Sequence, residues 1–302
     1  MAITADGAQH SLAYVAETTY GTTPATPAFK PLPHTGTTLG ASKDVVQSEK
    51  LRSDRQVEDE RHGNVSVSGD VNTELEYEAF DDILEAVLGG TWTSDVLKVG
   101  NTRRSFTVER KFGDIGQYQR FKGCEFNSLS LSVAPNSMVT TTIGVIGQDL
   151  SLGTSEITGA TYAADSTNKP FDSFIGYIQE GGTTIGTVTS LEMTLDNGIE
   201  PLFAIGSKFS ERPTIQRSML TGTVTTYFRN STLLQKFLNE TESSIRLVLE
   251  DLDGNNYTFD LPRLKYNSGQ ADVSGPGAVT VPMEFKALLD GSEGTQFKIT
   301  RS

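Results

Sequence analysis

The chain has 302 residues, with 25 basic against 38 acidic side chains, three histidines and one cysteine. A net charge of −13 excludes broad phosphate neutralisation as a mode of nucleic-acid binding, and it excludes docking on an anionic membrane. A lone Cys124 excludes an internal disulfide, and no apolar run approaches the roughly 18 residues of a membrane span.

In chain order, Leu12–Glu17 reads as a short strand, and Tyr20–Pro27 as an extended loop built from two prolines and a glycine among threonines. Thr35–Ser42 continues as a strand. In Lys43–Arg61 eleven residues are charged, five basic and six acidic, which predicts a solvated loop or an exposed helix. Val65, Val67 and Val71 then alternate with Ser66, Ser68 and Asp70, the period of a half-buried antiparallel strand. Asp81 and Asp82 supply an N-cap and first-turn charge for a helix. Its Ile83, Leu84, Val87 and Leu88 form one apolar stripe, and Gly89-Gly90 ends it. A helix this short needs a sheet to pack against. Trp92, just beyond it, is expected in the core.

Arg104–Glu109 and Tyr118–Phe121 predict a hairpin, followed by paired strands Glu125–Val133 and Met138–Ile146. Residues Ser151–Pro170, rich in Gly, Ser, Thr and Ala, read as a linker.

The second half repeats this order. Gly69 and Val71 match Gly222 and Val224, and Ile83, Leu84, Val87 and Leu88 match Leu233, Leu234, Phe237 and Leu238. Ser231 and Asn239 stand at the cap and stop of that second helix. Phe126-Asn-Ser128 matches Tyr266-Asn-Ser268, and length differences fall in connections, where they are best tolerated. Asn197–Arg217 takes the place of the charged excursion. Ile245–Leu249 with Tyr257–Leu261, then Leu264–Val273 with Val279–Leu288, repeat the hairpin and the closing strands, and Phe297–Arg301 is a last strand or a docking arm. The expected architecture is two tandem β-sandwich or partly closed barrel domains, residues 1–150 and 171–302 around a linker at 151–170, each with one flanking helix. Two domains of about 150 residues can each bury a core without disulfides or metals.

Catalytic signatures are thin. His10, His34 and His62 all fall in loop-like sequence of the first half, so no duplicated histidine site is expected. There is no nucleophile elbow, phosphate-binding glycine loop or dinucleotide fingerprint. Asp251-Leu-Asp-Gly-Asn-Asn256 has Pro262 where a calcium loop needs glutamate, so it reads as a hairpin turn. Cys124, among apolar residues, reads as a structural thiol. No enzyme activity, metal or cofactor is expected.

Three stretches carry a family likeness: Ala13-Tyr-Val-Ala-Glu-Thr-Thr-Tyr-Gly-Thr-Thr-Pro24, Ser68-Gly-Asp-Val-Asn72 and Phe80-Asp-Asp-Ile-Leu-Glu-Ala-Val-Leu-Gly-Gly90. They resemble the tail tube proteins of long-tailed bacteriophages. The resemblance implies a β-sandwich with one flanking helix, related to the type VI secretion tube. Its subunits form rings whose inner sheets join into a continuous β-barrel, and the rings stack into a hollow tube through which double-stranded DNA passes without specific binding. It makes Lys50, Arg52, Asp54, Arg55, Glu58, Asp59, Glu60 and Arg61 candidates for a loop reaching the adjacent ring, with Asn197–Arg217 as its counterpart. The Pro-rich N-terminal stretch and the C-terminal tail become arms that clasp neighbours.

The implied partners are the chain itself and other tail proteins (tape measure, terminator, tip), with no membrane. The implied location is the virion tail, after synthesis and assembly in the host bacterial cytoplasm; the N-terminus has no signal-peptide pattern. Two domains per chain suggest a trimeric, pseudo-sixfold ring, and the acidity suits a DNA-repelling lumen. A terminator or tip ring protein of the same fold is the near alternative. A tandem β-sandwich carbohydrate-binding or adhesin module is the distant one.

Overall fold

The computed structural model describes residues 4–51, 53–54, 56–273 and 275–302. The first half runs β1 (His10–Ala16), β2 (Ala28–Pro31), β3 (Gly36–Thr37), β4 (Gly40–Gln47), β5 (Glu60–Glu74), helix α1 (Asp81–Leu88), β6 (Val96–Lys98), β7 (Phe106–Phe112), β8 (Gln117–Val133), β9 (Thr140–Gly147) and β10 (Asp149–Gly153). The second runs β11 (Thr161–Tyr162), β12 (Gly176–Glu180), β13 (Thr183–Thr184), β14 (Val188–Asp196), β15 (Glu200–Leu202), β16 (Glu211–Thr214), β17 (Met219–Tyr227), helix α2 (Thr232–Leu238), β18 (Ser243–Glu250), β19 (Asn256–Tyr266), β20 (Thr280–Ala287) and β21 (Lys298–Arg301). The fold is mainly β, with one short helix in each half.

The repeat seen in sequence is a repeat of ladders. In the first half β5 pairs β9 with Val71 opposite Ile143 and Gly69 opposite Val145; in the second, β17 pairs β20 with Val224 opposite Met283 and Gly222 opposite Phe285. Phe126 faces Val145 as Tyr266 faces Phe285. The strands β1 on β7 and β12 on β18 are likewise equivalent, as are β10 on β8 and β21 on β19.

Two strands depart from the sequence expectation. The predicted pieces Tyr118–Phe121 and Glu125–Val133 are one 17-residue strand, β8. Its first part lies between β7 and β10, and its second part between β9 and β14. No turn residue cluster interrupts it, so the chain crosses from one sheet to the other without reversing. The counterpart β19 likewise merges two predicted strands but stops at Tyr266, seven residues short of Val273.

The halves are joined edge to edge. β14 lies antiparallel to β8, from Leu191 opposite Val133 to Asp196 opposite Ser128. This makes one sheet of β4, β5, β9, β8, β14, β17, β20 and β19 in spatial order. The C-terminal β21 adds a second link by pairing both β19 and β6. With Phe297 and Ile299 fully buried, the tail is a core strand of its own chain rather than an arm toward a neighbour. Buried apolar residues of both halves form one contiguous core, in which Tyr257 lies against Phe171 and against Tyr77 and Trp92, which are only partly buried at its margin.

Helix α1 buries Ile83, Leu84, Val87 and Leu88, and Gly89 closes it in the left-handed conformation. The N-cap is Phe80, not Asp81 or Asp82. Those carboxylates turn to tertiary partners instead: Asp81 accepts the Tyr257 hydroxyl at 2.6 Å and pairs with Arg301, while Asp82 pairs with Lys30. Helix α2 has Ser231 and Asn239 at its ends, but the Ser231 side chain makes no capping bond. Leu233, Leu234 and Phe237 pack partly against the core, whereas Leu238 is 74% exposed. Seven residues make about two turns, and α2 sits chiefly over β19, so its last position overhangs the sheet.

Candidate assembly surfaces

Among the described residues no group of three or more His, Cys, Asp and Glu could hold a metal ion. Cys124 is fully buried and burial raises its thiol pKa, which suppresses the nucleophilic thiolate. His10 begins β1 and His62 lies in β5, so neither is in a loop. His10 and His34 meet at 2.8 Å, and Arg110 donates from Nε to His10 at 3.1 Å and from Nη1 to the Leu39 carbonyl at 2.7 Å. Burial first, then the charges of His34 and Arg110, lower the His10 pKa to about 4. The cluster pins β1 and the chain before β4 to β7. The Asp251 turn accepts the backbone N–H groups of Asp253 and Asn255 at 2.8 and 2.9 Å, so the carboxylate is spent on its own loop.

The joined sheet has one apolar face and one polar face. Val67, Val71, Leu129, Leu131, Leu191, Met193, Leu195 and Val224 turn to the core. By strand alternation the opposite face carries Ser66, Ser68, Asp70 and Asn72 of β5, Ser128, Ser130 and Ser132 of β8, Glu192, Thr194 and Asp196 of β14, and Thr221, Thr223 and Thr225 of β17. Glu284 and Lys286 of β20 extend it. Short hydroxyls and acids dominate this surface. Hydroxyls also bridge the joint, where Ser130 Oγ and Thr194 Oγ1 lie 2.9 Å apart.

The ends of the charged excursion Lys43–Arg61 belong to β4 and β5, and the described residues among 48–59 form the loop that joins them. β4 and β5 pair out to Gln47 opposite Glu60. Lys50 and Glu58 form an ion pair at 3.2 Å, and Arg61 and Asp59 one at 3.6 Å. Asp54 accepts the Gln56 N–H at 3.3 Å, and Glu60 starts β5. Arg52 and Arg55 lie outside the described residues. The hairpin exposes Val45, Val46, Leu51 and Val57, which is costly for a lone chain and apt for a contact surface.

Its counterpart is the smaller β15–β16 hairpin, with Leu202, Phe203, Ile205 and Phe209 exposed. Its base folds onto the first half: Arg212 reaches the buried Glu125 at 2.9 Å, Gln148 donates to the Ser210 carbonyl, and Val65 donates to the Lys208 carbonyl. Sequence reasoning passed over Glu125, Arg212 and Asn127, although the repeated Asn-Ser of Phe126-Asn-Ser128 was a visible signal for the last. The Asn127 backbone carbonyl accepts the Asn197 N–H at 3.0 Å, and its side-chain oxygen accepts the Ile199 N–H at 2.6 Å.

These surfaces are sheet edges, hairpins and a polar wall. A search of curated proteins finds no match. A family model described as phage tail tube protein matches residues 7–287, nearly the whole length and both repeats. The chain belongs to the phage tail tube protein family, and is a structural component of the phage tail.

Proposed function

We propose that copies of this chain assemble edge to edge into rings, and that the rings stack into the hollow tube through which phage DNA is delivered. The observation that carries this is the β8–β14 joint, which already merges two tube-type repeats into one sheet inside a single chain. Three chains then supply six quasi-equivalent repeats per ring, and the Ser- and Thr-rich face with Asp70, Glu192, Asp196 and Glu284 lines the lumen. Acids on that wall repel DNA phosphates at close range, while salt screens the repulsion beyond about 8–10 Å. The apolar tips of the β4–β5 and β15–β16 hairpins suit contacts with the adjacent ring, and α2 with Leu238 suits a contact outside the barrel. Tape measure, terminator and tip proteins complete the tail, assembled in the host cytoplasm.

Negative-stain electron microscopy of concentrated purified protein tests the reading. Hollow tubes with an axial repeat and three chains per ring are the expected outcome. Six chains per ring would overturn the trimer, single closed rings would indicate a terminator or tip component, and a monomer at every concentration would overturn self-assembly.

A further inference from the structure

The two repeats differ at one place that a single chain leaves incomplete. In the first repeat, Ser128–Ser132 of β8 is paired on both sides, with Leu129 opposite Ile143 of β9 and Leu131 opposite Met193 of β14. The residues of the second repeat equivalent to Ser128–Val133 are Ser268–Val273, with Gly269, Ala271 and Val273 in place of Leu129, Leu131 and Val133. Ala271 even packs against the core, yet β19 ends at Tyr266 and residues 267–273 form no ladder. Among the described residues no strand pairs along residues 267–273 as β14 pairs along β8.

The missing strand is present at the other end of the sheet. β14 and β4 are equivalent by register: Leu195 faces Leu220 as Ala41 faces Val67, and Asp196 faces Met219 as Ser42 faces Ser66. β14 is paired on both edges, whereas among the described residues β4 pairs only β5. The chain therefore ends in two half-joints that are the two sides of the joint it contains.

Resting on the self-assembly reading, we infer that a second copy of this chain seats its residues 37–43 along residues 267–273, in the register that β14 takes along β8. Ser42 then stands opposite Ser268, Ala41 opposite Gly269, and Leu39 opposite Ala271. No like charges oppose one another in these pairs. Asn267 takes the part of Asn127: its carbonyl accepts the Lys43 N–H of the second copy, and its side chain stands at the corner where Asn127 receives Ile199. This accounts for the repeated Phe/Tyr-Asn-Ser, since Asn267 is exposed in the single chain. Residues 268–273 become a strand on docking, because the new ladder offsets the entropy of fixing an extended segment.

Disulfide trapping with Ser42→Cys/Ser268→Cys tests the register. By equivalence with Asp196 and Ser128 this is a close pair on the polar face, within disulfide reach. Ser130→Cys/Thr194→Cys is the internal control and links within one chain, since those hydroxyl oxygens lie 2.9 Å apart. Oxidation of assembled Ser42→Cys/Ser268→Cys protein is expected to yield a ladder of linked chains on a non-reducing gel, with the 42–268 peptide found by mass spectrometry. Ser42→Cys/Ala271→Cys, out of register, is expected not to link. Tubes or rings that form, with the internal control linked but no 42–268 bridge, would overturn the joint and leave self-assembly standing. A chain that sediments only as a monomer would overturn both.

Discussion

Arg212 of the second repeat donates from Nε to the Glu125 carboxylate at 2.9 Å, at the base of the joint between the repeats. Arg103 pairs with the same carboxylate from the other side, and the Glu125 side chain is only 4% exposed. The two partners are unequal in burial, with Arg212 40% and Arg103 25% exposed. Removing the arginines therefore strands a buried charge, whereas removing the glutamate charge leaves two arginines that are more exposed than the carboxylate was.

Arg103→Met/Arg212→Met is expected to cost about 3–5 kcal/mol, the penalty of an uncompensated buried charge. Glu125→Gln is expected to cost less, about 1.5–3 kcal/mol for the lost charged hydrogen bonds. Urea unfolding of both variants measures the difference, and equal losses would mean that the carboxylate is not desolvated as the structure has it.

The two helices predict opposite sensitivities from matched sequence positions. Leu88 is 2% exposed, so Leu88→Ala is expected to cost about 2–5 kcal/mol. Leu238 is 74% exposed, so Leu238→Ala is expected to stay within about 0.5 kcal/mol in the monomer. Thermal and urea melts of the two variants check this, and a large loss in Leu238→Ala would place that end of α2 in the core.

Acid should loosen the strand junction at His10. Its pKa is lowered to about 4, against 6.5 when unfolded, by burial and then by His34 and Arg110. Between these values the unfolded chain binds the proton and the folded chain does not, so this contribution is full above pH 6.5 and is lost as pH falls toward 4. His34 is lowered in the same direction, by burial first. Stability measured by urea at pH 7 and pH 5 is expected to fall, and His10→Gln is expected to flatten part of that fall. An unchanged slope in His10→Gln would remove the histidine from the account.

Gly222 holds a place that a side chain cannot share. A Cβ there would come within 2.3 Å of the Glu192 carbonyl oxygen and 2.5 Å of the Phe285 ring. Gly222→Ala is expected to cost about 1–3 kcal/mol by overpacking, while Gly186→Ala, with open space around it, is expected to be near neutral. Chemical denaturation of the pair decides it; a neutral Gly222→Ala would show that Phe285 has room to move.

Much of the fold is legible in local pattern. The α1 stripe at Ile83, Leu84, Val87 and Leu88 and the alternation of Val65, Val67 and Val71 are periodic, and periodicity depends only on how each element meets one core face. The duplication is legible for the same reason, since equivalent strands keep equivalent faces. The pairing that runs out to Gln47 and Glu60 was hidden because both strands are solvated there, and charged residues mask an alternation that no core enforces. Leu238 matched Leu88 in sequence and not in burial, because the sheet beneath α2 ends sooner.

By itself, then, the sequence determined the local elements, the repeat, and the likeness to tube proteins. Tertiary structure alone decided which edges meet. The inward and outward faces of β8 and β14 are written in alternating residues, but the backbone groups that join Leu131 to Met193 are the same in every strand and carry no address. The same holds for the tail: Lys298–Arg301 reads as a strand or an arm until β19 and β6 are seen on either side of it. Glu125 and Arg212 likewise become partners only when the chain brings the two repeats together, since a side chain's charge does not name its counter-ion 87 residues away.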